Sequence, residues 1–154
     1  MSHHHLKAGD SALEFTLKNQ QNEKISPMSS EGKRILLSFH PLAWTSVCEI
    51  QMRTLEVKKA KFDELKVIAF GISVDSVPSK KAWAKSMEVN DTDLLADFWP
   101  HGEVAEKYGL FMEDKGVSNR ANVLIGLDRT IEWIRVYEML QVPDIEEVIK
   151  IASG

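Results

Sequence analysis

The feature that most constrains the fold is a short apolar run, Arg34-Ile35-Leu36-Leu37-Ser38-Phe39, set off by Gly32-Lys33 in front. Its length and its bounding residues predict a buried strand. The pattern then changes period. Met52, Leu55 and Phe62 fall at helical spacing from Cys48, which predicts a helix over 49–65. A second apolar run, from Lys66 to Ser73, predicts the next strand. Pro78 opens another helical stretch, in a first-turn position that proline tolerates, reaching about Glu88.

The remaining segments extend the same alternation. Residues 12–17 read as a first strand, with Asn19-Gln20-Gln21-Asn22 as a polar turn into a short return strand. Leu94-Leu95-Ala96 reads as a brief strand, and 101–108 as a helix stopped by Gly109 in a left-handed cap. Residues 121–125 and 130–137 read as two strands joined by the turn Gly126-Leu127-Asp128-Arg129. A closing helix over 143–151 carries Asp144, Glu146 and Glu147 in its first turn, where acids suit the helix dipole. Helices and strands that alternate and end in a hairpin and helix predict an α/β fold with a mixed sheet. At 154 residues, with no repeat or linker, one domain over 6–154 is expected. Residues 1–5, with His3, His4 and His5, read as a tag remnant or disordered start.

The chemistry concentrates where the first long strand hands over to the first helix. The loop Pro41-Leu42-Ala43-Trp44-Thr45-Ser46-Val47-Cys48 holds the sole cysteine and places it at a helix N-terminus. The thiolate is the reactive form of cysteine, and the positive end of a helix favours it. Thr45 lies three residues before the sulfur, so as a helix cap it would share a turn with Cys48. The formal charge of −4 argues against a nucleic-acid footprint. No apolar run reaches the ~20 residues of a membrane span, and no secretory segment follows the start, so a cytoplasmic setting is expected. A single cysteine permits no internal disulfide, which suits a reducing compartment. No cofactor and no metal site is expected.

Pro41-x-x-x-Thr45-x-x-Cys48 after an apolar strand resembles the peroxidatic-cysteine motif of the peroxiredoxins, the AhpC/TSA superfamily. Further segments agree in order and spacing: Ser73-Val74-Asp75-Ser76 with Trp83 beyond, Asp97-Phe98-Trp99-Pro100-His101-Gly102, Tyr108-Gly109-Leu110-Phe111, and Gly116-Val117-Ser118-Asn119-Arg120. The Phe-Trp-Pro-His-Gly and Ser-Asn-Arg runs resemble the one-cysteine bacterial group of alkyl hydroperoxide reductase E type. The resemblance spans about 6–152 and implies a thioredoxin-like fold, a central mixed sheet flanked by helices. It also implies a thiol-dependent peroxidase acting on hydrogen peroxide and organic hydroperoxides through a cysteine sulfenic acid. Cys48 would be the nucleophile, with Thr45 and Arg120 as donors and Pro41 shaping and shielding the site. A homodimer packed near the active-site loop, with Trp44 in the contact, is a further implication.

Arithmetic says what such a site must do. A free cysteine near pKa 8.5 is about 3% thiolate at pH 7, so full ionisation brings roughly thirtyfold. Typical enzymatic accelerations are at least about a millionfold. Most of the acceleration therefore has to come from donors aimed at the leaving oxygen. The candidates are the Thr45 hydroxyl, the Val47–Cys48 backbone N–H groups and the Arg120 guanidinium. The plain readings stand beside these: an inert buried thiol, a helix cap, a solvated strand-end arginine. Glu49 reads as a helix-start acid, His40 as packing, His101 as a helix-start residue, and Lys58, Lys59 and Lys61 as a solvated face. Trp44, Trp83, Trp99 and Trp133 read as core or interface. Gln51 departs from the acid that relatives carry there.

Position 51 is Gln and position 53 is Arg, so neither place one turn on carries a resolving cysteine, and no cysteine-bearing tail is expected. Sulfenic acid condenses readily with thiols, so regeneration is expected from an external thiol or a glutaredoxin- or mycoredoxin-like protein. A dithiol oxidoreductase is disfavoured by the cysteine count. A cysteine hydrolase would need a general-base histidine, and no signature supports one. A thioredoxin-fold redox sensor or scaffold, signalling by sulfenylation without sustained turnover, is the alternative function.

Overall fold

The computed structural model describes residues 5–154, so the expectation placed on Met1, Ser2, His3 and His4 lies outside the described residues. The predicted central strand, β3 (Arg34–Phe39), is in place. It pairs in parallel with β4 (Val67–Ser73) and antiparallel with β8 (Arg120–Ile125), which makes the sheet mixed as expected. β9 (Ile131–Tyr137) pairs antiparallel with β8. On the other side β5 (Asp93–Ala96) pairs in parallel with β4. The short pair β1 (Leu17–Lys18) and β2 (Lys24–Ile25) closes that edge, giving the order β2-β1-β5-β4-β3-β8-β9.

Alternation along β3 sorts the core into two layers. Leu36 packs with Met52, Leu55, Trp83, Leu124 and Val148 on one face. Ile35, Leu37 and Phe39 pack with Phe70, Ile72, Tyr108 and Val123 on the other. Ser38 shares the face of Leu36, so a buried hydroxyl points toward the cysteine helix.

That helix is α1 (Ser46–Val57), and Cys48, Gln51, Met52 and Leu55 form its buried stripe. It lies so close to β4 that a Cβ on Gly71 would sit 2.3 Å from the Met52 sulfur. Glycine is needed there for close approach. The single helix predicted over 49–65 is in fact two. Lys58 leaves helical geometry (φ −92°, ψ 7°), and α2 (Lys59–Glu64) restarts to bury Phe62. α3 (Val77–Met87) starts on Ser76, whose hydroxyl accepts from the Ser79 N–H at 3.3 Å. α5 (Ile145–Ser153) is capped by Asp144, which accepts from the Glu146 N–H at 3.0 Å.

Two further sequence expectations miss. Residues 12–17 contribute only Leu17 to a strand, because the Tyr108 hydroxyl meets the Leu13 backbone in place of a neighbouring strand. It accepts from the N–H at 3.2 Å and donates to the carbonyl at 2.9 Å. The helix predicted over 101–108 shortens to α4 (Glu103–Lys107), with Gly109 left-handed beyond it as expected (φ +73°). The structure adds a small hairpin, β6 (Phe111–Met112) with β7 (Val117–Ser118), that the sequence pattern does not announce. No helix among the described residues is long and apolar enough to cross a membrane.

Candidate active site

β3 ends at Phe39, and the chain passes through buried His40 and Pro41 into an exposed stretch before α1 begins. Trp44 turns left-handed (φ +70°) and Thr45 returns to extended backbone as the N-cap. The Thr45 hydroxyl does not cap the helix, however. It donates back to the Leu42 carbonyl at 2.8 Å. With no side-chain cap, the first-turn N–H groups of Ser46, Val47 and Cys48 are left without an intrahelical acceptor. Cys48 itself is fully buried.

Arg120, the first residue of β8, reaches this sulfur from across the sheet. The register pairs Phe39 with Ala121, so Arg120 lies beside the exit of β3. Its Nη1 lies 3.3 Å from Cys48 Sγ and 2.9 Å from Gln51 Oε1. Its Nε and Nη2 both donate to the Met139 carbonyl, at 3.0 and 2.5 Å. These contacts hold the guanidinium plane against the sulfur by its rigid fork. Cys48 and Arg120 are thus brought together, with Pro41 buried in the same loop. Thr45 stands at the helix mouth with its proton engaged elsewhere.

Gln51 explains how the arginine is held without an acid. Its amide accepts from Arg120 and donates to Ser38 Oγ at 2.7 Å and to the Phe39 carbonyl at 3.1 Å. A carboxylate could not make the last two bonds, since it has no N–H.

Below the cysteine lies a second polar group that sequence reading missed. Lys80 of α3 is fully buried, and its Nζ donates to Ser73 Oγ at 2.6 Å. Burial pushes its pKa down to about 8, although Asp75, Cys48 and Asp97 each pull it upward. A signal existed: Lys80, Trp83, Ala84 and Met87 are spaced as one helical stripe, so a lysine falls where apolar residues belong. His40 packs its ring 5.5 Å from that of Trp83, with Nδ1 3.4 Å from the Ser38 carbonyl. Burial first, then the Lys80 charge, holds His40 well below the usual imidazole range, so it is neutral and serves packing. His101 Nε2 lies 2.7 Å from the Gly116 carbonyl, tying the loop before α4 to the turn of the small hairpin and not to the cysteine.

The AhpC/TSA family matches residues 8–134. The chain belongs to that family. Its relatives include alkyl hydroperoxide reductase E of Mycobacterium tuberculosis, 35% identical over 143 residues, covering 92% of this chain and 91% of the relative. A putative peroxiredoxin of Haemophilus influenzae is 32% identical over 150 residues and covers 94% of each. Among solved structures, the reduced 2-Cys peroxiredoxin of Plasmodium vivax superposes with a TM-score of 0.86 at 25% identity, covering 96% of this chain and 81% of that one. This AhpC/TSA chain therefore has the thioredoxin-like peroxiredoxin fold, and by family it is an oxidoreductase of the peroxidase kind.

Proposed function

We propose that Cys48 reduces hydrogen peroxide and organic hydroperoxides by direct displacement. The Cys48 thiolate attacks one peroxide oxygen. An S–O bond forms as the O–O bond breaks, the other oxygen leaves as hydroxide or alkoxide, and it takes up a proton. Cys48 is left as sulfenic acid. An external thiol then displaces water from the sulfenic sulfur to give a mixed disulfide, and a second thiol releases Cys48 as thiol and itself as disulfide. The observation that carries this reading is the Arg120 Nη1 placed 3.3 Å from a sulfur that sits in the open first turn of a helix.

In this reading Arg120 and the first-turn N–H groups stabilise the leaving oxygen, which ionisation alone cannot do. Thr45 exchanges its bond to Leu42 for one to the peroxide. Pro41 covers the sulfur, so peroxide entry requires the loop over 41–45 to open. With one cysteine in the chain, the reductant is external, a small thiol or a glutaredoxin- or mycoredoxin-like protein. A homodimer is supported by Trp44, Phe98 and Trp99, which are 56%, 51% and 80% exposed at the end of the molecule that carries the site. Trp44 is tied to Ser79 at the start of α3, next to a cavity of about 280 Å³ lined by Leu17, Val77, Phe98 and Trp99. Residues 6–154 acting as one domain, in the cytoplasm, complete the proposal; one seven-stranded sheet drawing strands from Leu17 through Tyr137 supports the first part.

Cys48→Ser tests it. Stopped-flow tryptophan fluorescence on mixing reduced protein with hydrogen peroxide or a fatty-acid hydroperoxide should show a fast phase in the wild type and none in the variant. Cycling with excess thiol should follow. Peroxide turnover that survives in Cys48→Ser would sink the assignment. A single oxidation without cycling under any thiol would favour the sensor.

A further inference from the structure

We infer that Lys80 is a positioning residue for the active-site loop, acting through Ser73 and Asp75 on the backbone of Ala43; the kinetic half of this inference rests on the peroxidase reading of Cys48. The chain of bonds is continuous and converges on the Asp75 carboxylate, which accepts from both sides. Lys80 Nζ donates to Ser73 Oγ at 2.6 Å, and Ser73 Oγ donates to Asp75 Oδ2 at 2.6 Å. The same Asp75 Oδ2 accepts the Ala43 N–H at 2.8 Å. Ala43 lies in the middle of the segment that runs from buried Pro41 to the N-cap at Thr45.

The loop is otherwise held by the burial of Pro41 and Ala43 and by the Thr45 hydroxyl on the Leu42 carbonyl, at 2.8 Å. Leu42, Trp44 and Thr45 are exposed, and the Trp44 indole donates to the Ser79 hydroxyl at 3.0 Å. The Ala43 N–H bond is the tie that joins the backbone in the middle of the loop to the segment after β4, and so helps set how the loop lies over the sulfur. Its acceptor is a carboxylate, and a carboxylate pointed inward is held by a cation. Lys80 is that cation, and its ammonium makes no other hydrogen bond among the described residues. A fully buried ammonium with one partner is costly to place in a core. An apolar side chain at this position of α3 would serve packing better, since Trp83, Ala84 and Met87 continue the same stripe. The arrangement makes sense as a means of fixing the Ser73 proton toward Asp75. With the ammonium occupying its lone pair, the Ser73 hydroxyl is left to donate and Asp75 is held in line for Ala43.

Two variants break the chain at different links. Lys80→Met removes the cation and keeps the stem, while Ser73→Ala removes the hydroxyl and leaves both charges in place. Single-turnover oxidation of Cys48 by hydrogen peroxide, followed by stopped flow, should slow about tenfold or more in each, since a small misplacement of a reacting group costs up to ~10²-fold. Amide hydrogen exchange should show the Ala43 N–H losing protection in both, with the α3 amides unchanged. The double variant should be no slower than the slower single, because both cut one chain. Rates within about twofold of wild type in Ser73→Ala, or an Ala43 amide that stays protected, would overturn the inference. So would effects that multiply in the double variant. If Lys80→Met does not fold, Ser73→Ala decides alone. If the wild type consumes no peroxide, the peroxidase reading fails while the Ala43 exchange still decides the positioning.

Discussion

Two buried cations flank Cys48, and they are held in opposite ways. Arg120 spends its fork on Cys48, Gln51 and the Met139 carbonyl, touching the sulfur directly. Among the described residues Lys80 makes one bond, to Ser73, and it acts on Cys48 through its charge. The difference follows from shape. A planar guanidinium can satisfy several acceptors at once and stay charged when buried. An ammonium is a compact point charge, and burial drives Lys80 down to about 8. The first is suited to contact with reacting atoms, the second to fixing a scaffold.

The comparison breaks first at Arg120. Arg120→Met should slow Cys48 oxidation by about 10²–10³-fold, as for the loss of an oxyanion-type donor. Arg120→Lys sharpens the point, because it keeps the charge and discards the fork. Measured by stopped flow at pH 9, it should remain slow by at least about tenfold per lost donor, or ~1.4 kcal/mol. A lysine variant that equals the wild type there would show that Arg120 acts only as a charge.

Lys80 should declare itself in stability more than in contact. Between about 8 and 10.5 the unfolded chain keeps a proton on Lys80 that the folded chain has released. Stability from this group therefore rises with pH through that window, and below it the buried charge is a constant cost. A shift from 10.5 to about 8 corresponds to on the order of 3 kcal/mol. Urea unfolding at pH 7 and pH 10 should show this rise in the wild type relative to Lys80→Met. Equal pH dependence in the two proteins would mean that Lys80 is not desolvated as the fold implies.

The smallest effect is expected at Gln51, which links Arg120 to the strand. Gln51→Glu retains an acceptor for Arg120 but loses the donors to Ser38 and the Phe39 carbonyl. Losing these two buried bonds should cost about 1–3 kcal/mol in urea unfolding. A variant as stable as the wild type would show that the glutamine is a tolerated departure and not a built link.

The sequence by itself determined much of this protein. The apolar run over Arg34–Phe39 and the helical spacing behind Cys48 placed the thiol at a strand-to-helix junction, because periodicity and burial are local properties. Arg120 could be named only through the resemblance of the Ser118-Asn119-Arg120 run, since nothing local marks a strand-end arginine as reaching a sulfur 72 residues away. The register of β3 with β8 decided that contact. The link from Lys80 through Asp75 to Ala43 was likewise set by tertiary structure, which brings α3, β4 and the loop after β3 together. Lys80 carried a trace in the sequence, a cation on an apolar stripe, but its partners come from β4 and from the segment that follows it. Thr45 shows the limit most plainly. Its place at the head of α1 was legible, yet its hydroxyl turned to the Leu42 carbonyl, because the left-handed backbone at Trp44 folds that carbonyl back within reach. Spacing along a chain reports which residues share an element. Where a donor points is set by what the tertiary structure brings within about 3 Å of it.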